Sequence, residues 1–231
     1  MIKIFIFGIT GKIGKLIIKL IKTNKNFIIL GGINKINLFF FKIKKYKNIF
    51  FNMKKNGVLI DFSDSFLIKE ILLISIKYNL PLIIGTTGFN LIKLKLIKKA
   101  SKLIPIIISY NMSIGINLIN LIISNINVFL IKFNFDSYII DIHHNKKKDI
   151  PSGTSLMLSS KIKNNNILSL RIKNIIGNHI LYIISNYEII KIEHFVINRK
   201  IFILGVIYSI FWILNKKKGC YSMYDVFFNI Y

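Results

Sequence analysis

The chain has 231 residues, room for one large or two smaller cores, and its 53% hydrophobic content excludes a disordered protein. A formal net charge of +25 invites a nucleic-acid partner, but the lysines are spread along the chain and only Arg171 and Arg199 are arginine, so no nucleic acid is expected. The single cysteine, Cys220, leaves no internal disulfide and fits a reducing compartment, here the cytoplasm.

Isoleucine, lysine, asparagine and phenylalanine dominate loops and elements alike, as drift toward AT-rich codons would produce, and this blurs hydropathy. The 29 residues from Leu103 to Ile131 carry no charge, yet Pro105, Gly115 and five asparagines interrupt them, so no membrane span is expected. The amino terminus has only a short apolar run before Gly8, which does not read as a secretory signal.

In chain order, residues 2–7 read as a buried strand running into the turn Gly-Ile-Thr-Gly-Lys-Ile-Gly, and Leu16, Ile17, Leu20 and Ile21 follow at helical spacing. Strands are expected at 27–33, 57–63, 80–88 and 104–111, with helices at 66–78 and 90–102 between them. That alternation predicts a parallel α/β sheet over about 1–111. A helix from 112 to about 127, a strand ending at His143–His144, a helix opening at Pro151 and a hairpin over 179–197 predict a second, α+β domain over 112–202. The last residues, 203–231, return to a helical pattern that is expected to complete the first domain.

Gly8, Gly11 and Gly14 follow a strand and open a helix. Glycine there lets a pyrophosphate approach bare backbone and the free N–H groups of the helix start, although a tight βα turn without a ligand has the same spacing. After the second strand, Asn34 stands where an acidic ribose ligand is normal and Lys35 follows it, which leaves NADH and NADPH both open. The stretches Gly85–Gly88 and Ser109–Ser113 end predicted strands on the edge where such sheets bind ligands.

In "HHNKKKDIPSGT", His143 and His144 alternate across a strand, three lysines follow, and a Pro-Ser-Gly-Thr turn offers helix-start N–H groups to an anion. A nearby imidazole supplies a proton donor near neutral pH, while lysines repel cations and no third ligand stands at a metal spacing, so no metal is expected. These segments, with "IDFS", "IIGTTGF", "YNMSIGINL", "GNH", "NRKIF" and "GCYSMYDV", resemble in order and nearly end to end the 4-hydroxy-tetrahydrodipicolinate reductase (dihydrodipicolinate reductase) family of lysine and diaminopimelate synthesis.

The resemblance implies a Rossmann-type nucleotide domain, a smaller α+β domain that makes a homotetramer, and hydride transfer from NADPH or NADH to a cyclic unsaturated dicarboxylate. It implies that His143 is the acid/base residue and Lys147 the proton donor, with His144, Ser152, Gly153 and Thr154 binding substrate. Cofactor contacts would come from Gly8, Ile9, Thr10, Gly11, Lys12 and Ile13, from Gly85, Thr86 and Thr87, and from Ser109, Tyr110, Asn111 and Met112. The chain departs from the family pattern in a shortened stretch before Gly177, in Asn145 for a basic residue, and in Asn178 for an acid. The alternative from another class is a nucleotide-binding module without catalysis, which would bind NADPH and turn nothing over.

Overall fold

The computed structural model of the protein describes residues 1–34, 46–162 and 165–228. It divides into two compact units, one of Met1–Ser109 with Ile203–Tyr231 and one of Tyr110–Phe202.

The first unit is built on six strands, numbered in chain order: β1 (Ile2–Phe7), β2 (Phe27–Ile33), β3 (Gly57–Asp61), β4 (Leu82–Ile84), β5 (Pro105–Ile108) and β10 (Gly219–Tyr221). They pair in parallel in the order β10-β5-β4-β3-β1-β2. Strands covered on both faces need continuous apolar runs, and β1 supplies Ile4, Phe5, Ile6 and Phe7, all fully buried. Connecting helices are α1 (Lys12–Ile21), α2 (Lys47–Met53), α3 (Ile68–Tyr78) and α4 (Leu91–Ala100); α7 (Lys200–Ile213), from Ile203 on, and α8 (Met223–Phe228) return to this unit. Phe5, Phe7, Phe50 and Tyr78 interlock edge-to-face or tilted over the central strands, with the Phe5 and Phe50 ring centroids 4.8 Å apart.

The chain leaves β1 for β2 on one side and then crosses to β3 on the other. The point between β1 and β3, at the strands' carboxyl ends, is therefore the topological switch where doubly wound sheets bind ligands.

The second unit has α5 (Ile114–Lys132), β6 (Asp136–His143), α6 (Gly153–Ser159), β7 (Asn165–Arg171), β8 (Asn178–Ile184) and β9 (Ile189–Phe195). Its sheet runs β7-β6-β8-β9; β7 is parallel to β6, and the other two pairings are antiparallel. Ile116, Ile123 and Leu130 of α5 pack with Ile139, Leu158, Leu181 and Ile183 to form its core. By length and composition alone α5 could cross a membrane, but these residues are committed to the sheet.

Sequence and structure differ in four places. The helix expected at 112–127 runs on to Lys132, and α2 and β10 were not expected. Nor was β7, which lies in the stretch read as a shortened connection. Its pattern is inverted: Ser169 and Arg171 are part-buried while Leu168 and Leu170 point outward, so no inward apolar alternation announces a strand.

Candidate functional site

In the first unit the glycine turn sits at the switch point. Gly8 has φ +84, and a Cβ there would stand 2.2 Å from the Phe62 carbonyl oxygen; one on Gly14 would stand 2.4 Å from the Gly8 carbonyl oxygen. The turn is closed by Gly11 N–H donating to Gly8 O (2.9 Å) and Gly8 N–H to Ile33 O (2.8 Å). Gly11 is the N-cap of α1 with no side-chain cap and no acidic residue in the first turn, so the first N–H groups, those of Lys12 and Ile13 among them, have neither a capping side chain nor a carboxylate of their own turn to accept from them. That arrangement fits a pyrophosphate.

Ile9, Thr10 and the other turn residues share this edge with Gly85, Thr86 and Thr87, which follow β4, and with Ser109, which follows β5. The Thr86 hydroxyl is buried and accepts the Ser63 N–H (3.0 Å), tying two loops of the edge together, whereas Thr87 is exposed. Asn34 closes β2; Lys35 lies outside the described residues. Tyr110, Asn111 and Met112 belong to the second unit, where the Asn111 amide donates to Thr154 Oγ1 (3.0 Å), so one expected cofactor residue is bonded to an expected substrate residue.

Sequence reading passed over Asp61 at the end of β3. It is fully buried, and its carboxylate accepts the Ser63 N–H (2.9 Å) and hydroxyl. Burial pushes its pKa up from 3.8 to about 6 against the lowering effect of Ser63 and Thr86, with Asp64 adding to the rise.

In the second unit the register of the sheet lines up Ser169, Asp141, His179 and His194 across β7, β6, β8 and β9, with His143 opposite Arg171. His143 Nδ1 lies 2.7 Å from Asp141 Oδ1, a close contact with the oxygen off the line of the ring N–H. Its Nε2 edge faces Gly177, where a Cβ would come within 3.1 Å. His179 Nε2 is 3.6 Å from the same Asp141 oxygen and 3.4 Å from Ser152 Oγ. Burial, and then the neighbouring His143, press the His179 pKa down to about 3, so this ring is neutral. Asp141 behaves oppositely: burial alone would raise its pKa, but His143 and the Ser152 N–H outweigh that and hold the carboxyl well below its usual range.

Of the three consecutive lysines, Lys146 and Lys148 are exposed, while Lys147 is half-buried with its Nζ 2.8 Å from Asp149 Oδ1. The strand alternation puts His143 on the inner face and leaves His144 half-buried beyond the strand end. Ser152 caps α6: its Oγ accepts the Ser155 N–H (3.2 Å) and its own N–H donates to Asp141 Oδ2 (2.9 Å), so its groups are spent on shaping the turn. Gly153, where a Cβ would only graze the Tyr110 ring at 3.4 Å, and buried Thr154 follow it.

Asp141, His143 and His179 bring ligand atoms within 4.8 Å of one another, a metal-like grouping that sequence spacing did not show. The residues do not fit a cation. The 2.7 Å His143–Asp141 contact is shorter than the roughly 3.3 Å between ligands of a tetrahedral zinc, and the Arg171 guanidinium lies 3.4 Å from Asp141 Oδ2. Asp141, Arg171 and His179 were all missed. Only the first left a signal, standing two residues before His143 and hence on the same face of the strand.

The family model for the N-terminus of dihydrodipicolinate reductase matches residues 2–112, and that for its C-terminus matches 115–227. The chain belongs to the dihydrodipicolinate reductase family. Among relatives, the 4-hydroxy-tetrahydrodipicolinate reductase of Buchnera aphidicola subsp. Cinara cedri is 36% identical over 97% of this chain and 96% of its own. That of Clostridium novyi is 34% identical over 98% of both, and that of Pelagibacter ubique 36% over 97% of both. Among solved structures, the dipicolinate-bound dihydrodipicolinate reductase from Paenisporosarcina sp. TG-14 superposes over 100% of each chain with a TM-score of 0.75 at 20% identity, a likeness of fold. The aspartate dehydrogenase of Thermotoga maritima reaches 0.55 at 13% identity over 94% of this chain and 98% of its own.

Proposed function

We propose that the chain reduces 4-hydroxy-tetrahydrodipicolinate to tetrahydrodipicolinate with a nicotinamide dinucleotide, in lysine and diaminopimelate synthesis. The observation that carries this reading is that one unit of a family member gathers His143, Lys147 and the Ser152–Thr154 turn around a buried charge network. Overall, one hydride and one proton enter and the substrate's hydroxyl leaves as water. The bound nicotinamide supplies the hydride, and the turn from Gly8 to Ile13, with Gly85–Thr87 and Ser109–Met112, holds that dinucleotide.

The chain's own residues do the rest. His143 handles a proton at Nε2, Lys147 supplies one from its ammonium, and His144, Gly153 and Thr154 receive the carboxylates of the substrate. Lys147 must first leave Asp149, and an arriving carboxylate offers it an equivalent partner. Ser152 contributes by holding the turn, through its cap and its N–H to Asp141. Lys35, next to Asn34, favours a 2′-phosphate and thus NADPH, while the amide of Asn34 also suits NADH. A cytoplasmic homotetramer completes the proposal; Tyr138, Leu168, Leu170 and Phe195 leave the outer face of the second sheet apolar and exposed.

The test is oxidation of NADPH and NADH with enzymatically generated substrate, comparing wild type with His143→Gln and Lys147→Ala. A general acid is worth about 10²–10⁴-fold, so each substitution is expected to cut the maximal rate by that much with little change in cofactor affinity. Folded wild-type protein that binds nucleotide without turnover would favour the non-catalytic module.

A further inference from the structure

We propose that Arg171 and Asp141 act as a positioning pair, locking the strand that carries His143 to the loop that carries Lys147 so that the two proton-handling groups hold one geometry. The inference rests on the reductase reading for its role, but the pair itself is visible in the geometry. Arg171 Nη2 donates to the Asp149 carbonyl (2.6 Å), in the loop two residues after Lys147, and approaches Asp141 Oδ2 at 3.4 Å. Its Nη1 donates to the Leu170 carbonyl (2.8 Å). Asp141 Oδ2 also accepts the Ser152 N–H (2.9 Å) and the Ser169 hydroxyl (3.2 Å), and Oδ1 meets His143 Nδ1. One fully buried carboxylate thus gathers its own strand, the turn before α6, β7 and β8.

The residue type matters. A planar guanidinium can address a carbonyl on one element and a carboxylate on another, whereas an ammonium is a point charge. The chain uses arginine at only two of its 34 basic positions, and one of them is here. Asp141, in turn, places a full negative charge against Nδ1. That favours the tautomer with the proton on Nδ1 and directs Nε2 away from the network. The charged or titratable groups around the carboxylate are His143 on β6, Arg171 on β7 and His179 on β8, with His194 beside His179 on β9 and the Lys147–Asp149 pair on the loop.

The experiment combines steady-state kinetics with histidine-selective ¹⁵N NMR on the full-length protein and on Arg171→Lys, Asp141→Asn and Asp141→Glu. Arg171→Lys should lower kcat by about 100-fold, the cost of a misplacement on the order of 1 Å, with the KM for nucleotide unchanged. In Asp141→Asn the His143 ring should shift toward the other tautomer, read from its two ring ¹⁵N shifts. Asp141→Glu, which keeps the charge, should restore most of the wild-type tautomer population. Equal losses in Asp141→Asn and Asp141→Glu, or an unmoved His143 spectrum in both Asp141→Asn and Arg171→Lys, would overturn the pairing and leave a merely structural network. Because the NMR arm reads the ring directly, a wild-type protein without reductase activity would sink the reductase reading while the spectra still decide the pairing.

Discussion

Replacing Asp61 by asparagine removes a carboxylate that folding has driven into the interior of the first unit. The buried group titrates at about 6 instead of 3.8, and each tenfold change in proton affinity is worth about 1.4 kcal/mol, so ionised Asp61 costs the folded state about 3 kcal/mol. The sign follows from the protons bound. Below pH 3.8 the group is protonated in both folded and unfolded chains and costs nothing. Between pH 3.8 and 6 the folded state holds the proton more tightly, so stability falls as pH rises; above 6 the whole cost is present. Asparagine keeps an oxygen to accept from Ser63 and has no charge to bury. The stability of Asp61→Asn relative to wild type is therefore expected to rise by about 2.4 kcal/mol between pH 4 and 7, the remainder of the cost having developed below pH 4. Urea denaturation followed by fluorescence of Trp212, the one tryptophan and a member of the same unit, reads this directly, and every other titrating group cancels in the difference. A difference that stays flat across that range, or that falls, would refute the reasoning.

His179 should act in the opposite sense. Its pKa is depressed from 6.5 to about 3, so its contribution is present above pH 6.5 and is lost as pH falls, at about 1.4 kcal/mol per pH unit; amide exchange in β8 should weaken between pH 6.5 and 5 in wild type by about 2 kcal/mol more than in His179→Gln. Gly8→Ala forces a methyl group to within 2.2 Å of the Phe62 carbonyl oxygen at φ +84, and should destabilise the first unit by at least about 2 kcal/mol and weaken nucleotide binding, both read by Trp212 fluorescence and titration with NADPH.

What could be read in the sequence was whatever local chemistry announces. The buried strands of the first sheet are continuous apolar runs, the glycine turn is a local conformational demand, and His143–His144 with Ser152–Thr154 form one contiguous signature. What could not be read was made by pairing. β7 hides its polar side and shows its leucines, and β10 is three residues that become a strand only beside β5. Arg171 and His179 look ordinary until register sets them beside Asp141. Asp61 looks like a turn residue after a strand, and only its complete burial makes it a stored charge.

The two units also differ in how far apart in the chain their partners lie, which bears on the order in which they form. Asp141, His143, Ser152, Ser169, Arg171 and His179 come from one uninterrupted segment, whereas the edge of the nucleotide sheet must wait for Gly219 to find Pro105. Local closures cost less chain entropy than distant ones. The ionic network is therefore expected to form first and the edge of the first sheet last, so that a chain emerging from the ribosome would gather Asp141, His143 and Arg171 before β10 can join β5. Pulse-labelled amide exchange during refolding should show β6 and β8 protected ahead of β5 and β10, and the reverse order would refute this sequence of events.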